Sequence, residues 1–232
     1  MLMNPTAIVV GLTAIGLAAA SARAQSKIPY AVMGPASAYL IPNQADEIAL
    51  ARSAAPKSIS DAAQIMVLGR NGYTTAVKGT NGFVCMVQRA FAAGTDFSEY
   101  WNPKNRSPGC FNAAAARTYM QVILLKARLA MSGQSVAEIA RATAAARDNH
   151  ELPAPEPGAM CYMMSKQQYL NDAGKSWHPH LMFFAASRPA DAWGANHDDS
   201  PLIAADDIDA HVTILMLTVN HWSDGSAAGG DH

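Results

Sequence analysis

Between positions 64 and 90 the chain reads QIMVLGRNGYTTAVKGTNGFVCMVQRA, three runs of strand-forming residues separated by two Asn-Gly pairs, Asn71-Gly72 and Asn81-Gly82. Ile, Val, Tyr, Thr and Phe favour a pleated, half-buried surface, and Asn-Gly supplies the positive φ values that tight hairpin turns need. The pattern predicts a central three-stranded antiparallel meander. Its outer runs, 65–68 and 83–87, are apolar throughout, which suits strands covered on both faces. The middle run alternates, placing Tyr73, Thr75 and Val77 on one side.

From Asn112 the apolar spacing changes to three and four. Tyr119, Met120, Ile123, Leu124, Ala127 and Met131 follow an alanine-rich start, and Gly133 stops the run, so a helix is predicted over 112–131. Ser135 with Glu138 is a capping-box pattern that opens a second helix to about residue 147, and the short link between the two predicts a helical hairpin. A shorter helix over 44–54 has Asn43 as its cap, Asp46 and Glu47 in its first turn, and Pro56 beyond its end.

The remaining segments read as follows: an extended, proline-containing lead-in over 25–42, a surface loop over 94–109 carrying Tyr100 and Trp101, and strands over 160–169, 181–186 and 212–222. A polar insertion over 187–209, with Asp198, Asp199, Asp206, Asp207 and Asp209, reads as a solvated acidic loop, and residues 226–232 as a flexible C-terminal tail. Helix, strands, helices and strands in that order predict one α+β domain over 25–225, a mostly antiparallel sheet packed against the helical hairpin.

Positions 7–20 form an uncharged apolar run followed by Ala22-Arg23-Ala24. The run is short for a bilayer span and ends in a small-residue cleavage pattern, so residues 1–24 are expected to be a signal peptide and the chain secreted or periplasmic. Its removal takes Arg23 from 17 basic residues, leaving 16 against 18 acidic and a net charge of −2. That balance, without any Lys/Arg run, argues against a nucleic-acid partner. No later apolar run is long enough for a membrane span, which leaves a small molecule or another protein as the partner class.

Three cysteines in an exported chain allow one internal disulfide. Cys85 in the third strand and Cys110 after the Pro- and Asn-rich loop are the favoured pair, the alternative being three reduced, buried thiols. Cys161 lies in the apolar context Met160-Cys161-Tyr162-Met163-Met164, which raises a thiol pKa and argues against a nucleophile.

Three segments, NGFVCMVQRAF, CYMMSKQQYLND and WHPHLMFFAA, resemble a group of exported bacterial proteins that carry no assigned activity. The resemblance covers most of the chain after residue 24 and implies a shared fold and export. It brings no catalytic residue with it.

Candidate chemistry is sparse. His178-Pro179-His180 places two imidazoles on one side of an extended segment, and with His211 or His221 they are the candidate ligands of a zinc-dependent hydrolase. The simpler interpretation makes His180 a core histidine and the protein cofactor-free. The sequence contains no G-x-S-x-G, H-E-x-x-H or S-x-x-K with its partners. Trp177, Met182, Phe184 and Tyr162 belong to an aromatic and methionine-rich cluster able to line a small apolar ligand pocket. The expected function is therefore an exported, non-catalytic binding or structural domain, with the metal hydrolase as the alternative. When the chain is expressed in a bacterium with intact secretion, intact-mass measurement should give a mature N-terminus at Gln25. Retention of residues 1–24 on exported protein would contradict the signal-peptide assignment.

Overall fold

The computed structural model describes residues 29–229; the expected signal peptide lies outside them. The fold is α+β. Among the described residues five α-helices, α1 (Gln44–Arg52), α2 (Lys57–Ser60), α3 (Ala113–Arg117), α4 (Tyr119–Met131) and α5 (Val136–Asp148), accompany eight strands in one sheet. The strands are β1 (Gln64–Gly69), β2 (Gly72–Val77), β3 (Val84–Gln88), β4 (Ser107–Phe111), β5 (Met160–Met163), β6 (His180–Ala186), β7 (Leu202–Asp207) and β8 (Val212–Thr218). Their order across the sheet is β2-β1-β3-β4-β5-β6-β8-β7, and every neighbouring pair is antiparallel except β1 with β3.

That exception corrects the expected meander. β1 and β2 form the first hairpin, but β3 then pairs with the opposite edge of β1, in parallel, with Ile65 beside Cys85. The connection passes the start of β1 closely: Thr80 N donates to Ala62 O, and Gln64 N to Phe83 O. Gly79 makes this passage possible, because a Cβ there would stand 2.1 Å from Gln64 N. Asn81 serves the loop rather than a hairpin, its Nδ2 donating to Ile59 O and its Oδ1 accepting from Phe83 N. Burial explains the order. β1 and β3 are apolar on both faces and take interior positions, whereas β2 exposes Thr74 and Thr75 and stays at the edge.

α1 lies over β1, β3 and β4 on one face of the sheet, where Ala51, Ile65, Cys85, Val87 and Cys110 form one core cluster. The other face carries Met66, Met86, Phe111, Tyr119, Ile123, Cys161, Met163 and Phe184. Cys85 and Cys110 are cross-strand partners joined by a disulfide, and Cys161 is free and buried. Desolvation raises the Cys161 thiol pKa far above its usual range.

Several local expectations are revised. The helix predicted over 112–131 breaks at Thr118, whose backbone leaves helical geometry at φ −119 and ψ −94 while its hydroxyl donates to Ala114 O at 2.7 Å. Tyr119 consequently starts a new helix. The supposed surface loop over 94–109 contributes Tyr100 and Trp101, each 3% exposed, to a third core cluster with Tyr39, Phe91 and Ile139, and it also contains the start of β4. The polar insertion contains the edge strand β7. The C-terminal tail turns back as far as Ala228, with Trp222 N donating to Ser226 O and Ala228 N to Asn220 O. Among the described residues no helix is long and apolar enough to cross a membrane.

Two buried ion pairs tie these layers together. Arg89 Nη2 donates to Glu47 Oε1 at 2.9 Å, its Nε to Tyr39 O at 2.7 Å and its Nη1 to Val87 O, and Glu47 Oε1 also accepts from Leu68 N at 3.1 Å. Lys126 Nζ meets Asp209 Oδ2 at 2.6 Å, and Asp209 additionally accepts from Thr95 N and Oγ1. Removing one member of such a pair strands a buried charge. Glu47→Gln should cost about 3–5 kcal/mol in urea unfolding with the disulfide intact, whereas Glu47→Leu with Arg89→Met should recover most of that loss. A cost for Glu47→Gln near zero would remove the pair from the account of stability.

Candidate functional site

A cleft of about 620 Å³ opens on the sheet face that carries α3 and α4. Strand periodicity builds its floor. On β6, His180, Met182 and Phe184 point to this face; β5 adds Met163 opposite His180, β8 adds Ile214 and Met216, and β7 adds Ala205 and Asp207. The walls come from the end of β3 and the chain after it, including Arg89, Ala92 and Phe97, and from Asn105, Leu170 and Trp177.

The floor is mostly apolar, the walls also carry Gln88, Arg89, Asn105, Ser107 and Asn171, and the ionisable side chains of the floor stand at its two ends. At one end His180 is 2% exposed and its ring lies 4.7 Å from that of Trp177, centroid to centroid. Its Nδ1 is 2.8 Å from His178 O, which fixes that nitrogen as the protonated one, since a carbonyl only accepts. Burial lowers the His180 pKa, outweighing the opposing effect of this hydrogen bond.

At the other end Tyr119, placed by the break at Thr118, stacks on Phe184 with centroids 4.0 Å apart and donates its hydroxyl to Asp207 Oδ2 at 2.8 Å. Asp207 Oδ1 accepts from the backbone amides of Asp209 and Ala210, so this carboxylate closes the turn that follows β7. Burial, followed by the Asp207 charge, drives the Tyr119 pKa far up and keeps the phenol a donor. Asp207 and Asp209 are 3% and 7% exposed, which corrects the expectation of a wholly solvated acidic loop. Burial opposes ionisation of Asp209, but Lys126 and Thr95 together hold its pKa below the ordinary value.

Of the residues singled out in sequence, Trp177, Met182 and Phe184 line the cleft together with His180. Tyr162 does not. Paired with Cys110 and Leu181, it points to the opposite face, where its ring packs 6.1 Å from that of Phe83. Of the candidate histidines, His211 is remote from His178 and His180. His180 pairs with Thr218 at one end of β8, whereas His211, at φ 52, precedes Val212 at the other, about 20 Å away at ~3.3 Å per strand residue. His221 is exposed in a bridge with Ala227, and His178 contributes its carbonyl to His180. Among the described residues no three His, Cys, Asp or Glu side chains are grouped to hold a metal ion.

The cleft residues missed in sequence are Tyr119, Asp207 and Met216, while Met163 belongs to the aromatic and methionine-rich cluster without being singled out for the pocket. Alternation would have assigned Met163 rather than Tyr162 to the face of Met182 only with the β5–β6 register known, and that register depends on the sheet. Because the folded pKa of His180 is depressed, its contribution to stability is complete above the unfolded histidine value of 6.5 and lost as pH falls through the folded one. Urea unfolding should therefore show stability falling as pH drops below about 6.5, and His180→Gln should flatten that decline; an unchanged profile in the variant would dismiss the burial effect. Compared with protein-family models, with curated proteins and with solved structures, the chain matches none.

Proposed function

We propose that this protein is an exported, non-catalytic binding domain whose ligand is a small apolar molecule held in the cleft. The observation that carries this reading is the cleft itself. Its volume of about 620 Å³ lies within the range that holds small ligands, and Met163, Met182, Phe184, Ile214 and Met216 give it an apolar, adaptable floor. Its polar ends are engaged in the fold, His180 by a backbone carbonyl and Asp207 by Tyr119 and two backbone amides.

They are also far apart. His180 pairs with Thr218 and Asp207 with Val212, so the length of β8, about 20 Å, separates them and they do not act as acid and base on one bond. Export is supported by the Cys85–Cys110 disulfide, which suits an oxidising compartment, and by the apolar N-terminal run with its cleavage pattern.

N-phenylnaphthylamine, an uncharged probe that brightens in apolar surroundings, should bind saturably to the purified protein. Met182→Asp places a carboxylate on the cleft floor and should weaken binding by about tenfold or more, with the far-ultraviolet circular dichroism unchanged. Failure of the wild-type chain to saturate, or equal affinity in a folded variant, would refute the reading.

A further inference from the structure

The charges around the cleft are unevenly distributed. Asp207 closes one end and Asp96 stands exposed at the rim. Among the described residues Arg89 is the one Arg or Lys in the lining. Its Nε, Nη1 and Nη2 donate to Tyr39 O, Val87 O and Glu47, so its charge is balanced and its donors engaged within the fold. Asp206 carries its carboxylate to the opposite face, where it accepts from Thr213 Oγ1. His180, at the far end, is biased toward its neutral form by burial.

Among the described residues an anionic head therefore finds no available cation in this cleft, and it meets a carboxylate at the Asp207 end. A cationic head finds the reverse. Asp207 accepts only from neutral donors, the Tyr119 hydroxyl and two backbone amides, so its charge is not balanced by an ion pair among the described residues and it supplies the counter-charge for an organic ammonium group, with the Tyr119 and Phe184 rings beside it. The floor leading away from this end, Ile214, Met182 and Met216, is apolar and suits an alkyl or aryl body.

We propose that the ligand of the cleft is a free small amphiphile with an ammonium head, the head seated on Tyr119, Phe184 and Asp207 and the apolar body laid along the methionine floor toward Trp177. This rests on the reading of the cleft as a ligand site and adds the charge class of the ligand and its orientation.

The test is calorimetric titration of the purified protein with three decyl compounds, each below its micellar concentration: decyltrimethylammonium, decyl maltoside and decyl sulfate. The ammonium compound should bind about tenfold tighter than the maltoside, and the sulfate most weakly. Asp207→Asn should reduce the ammonium preference over the maltoside to about twofold. Asp96→Asn, at an exposed position that does not threaten folding, should reduce it by about twofold. Sulfate binding as tightly as ammonium, or a preference untouched by both variants, overturns the charge assignment while the cleft reading stands. Binding of none of the three overturns both. Cosedimentation with phosphatidylcholine vesicles without binding of free decyltrimethylammonium also overturns the proposal, since the headgroup is then read in a bilayer.

Discussion

Glu47 and Arg89 are each 1% exposed, and between them they join four separate pieces of chain. Glu47 comes from α1, Arg89 from the end of β3, and their partners are the amide of Leu68 in β1 and the carbonyl of Tyr39 in the lead-in. Two charges withdrawn from water are costly, and the cost is offset only when attraction and hydrogen bonds satisfy both groups at once. Here Arg89 meets three acceptors, and Glu47 accepts from both a guanidinium and a backbone amide. The geometry is therefore demanding, and it sets how α1 lies on the sheet, where the lead-in docks, and the position from which the chain leaves β3 to form the wall of the cleft.

A second constraint does the same on the opposite face. Lys126 in α4 meets Asp209 beyond β7, Thr95 binds the same carboxylate, and Arg147 from α5 donates to Asp209 O at 2.7 Å. Helices, the chain after β3 and the last β-hairpin thus converge on one aspartate. Two residues earlier Asp207 receives the Tyr119 hydroxyl. The acidic stretch is in this part a set of buried acceptors that fasten the far edge of the sheet to α4, and the cleft is the space left between those fastenings. Its floor is adaptable because it is methionine-rich, and its ends are rigid because their polar groups have fixed partners.

How much of the candidate site was legible follows from the range of each signal. Met182, Phe184 and His180 share a face because they are two apart on a strand, a relation the sequence carries on its own. Tyr162 looked equivalent through its neighbours in sequence, yet pairing with Leu181 turns it to the other face. Tyr119 looked like one more core residue of a continuous helix. Only the break at Thr118, and the arrival of Asp207 from 88 residues away, give its hydroxyl a role in the site.

The sequence by itself determined most of the strands and the longer helices, though not β4 or β7, together with the caps at Asn43 and Ser135 and the double-sided burial of β1 and β3, and it favoured the pairing of Cys85 with Cys110. These rest on residue preference, period and local hydrogen bonding, all of which act over a few positions. The parallel pairing of β1 with β3, the burial of Tyr100, Trp101, Asp207 and Asp209, and the membership of the cleft were decided by tertiary structure. Each depends on which distant surfaces and charges compete for the same interior. Gly79 yields room for the chain beside Gln64, and Lys126 waits for Asp209, but neither residue names its partner to a reader of local pattern.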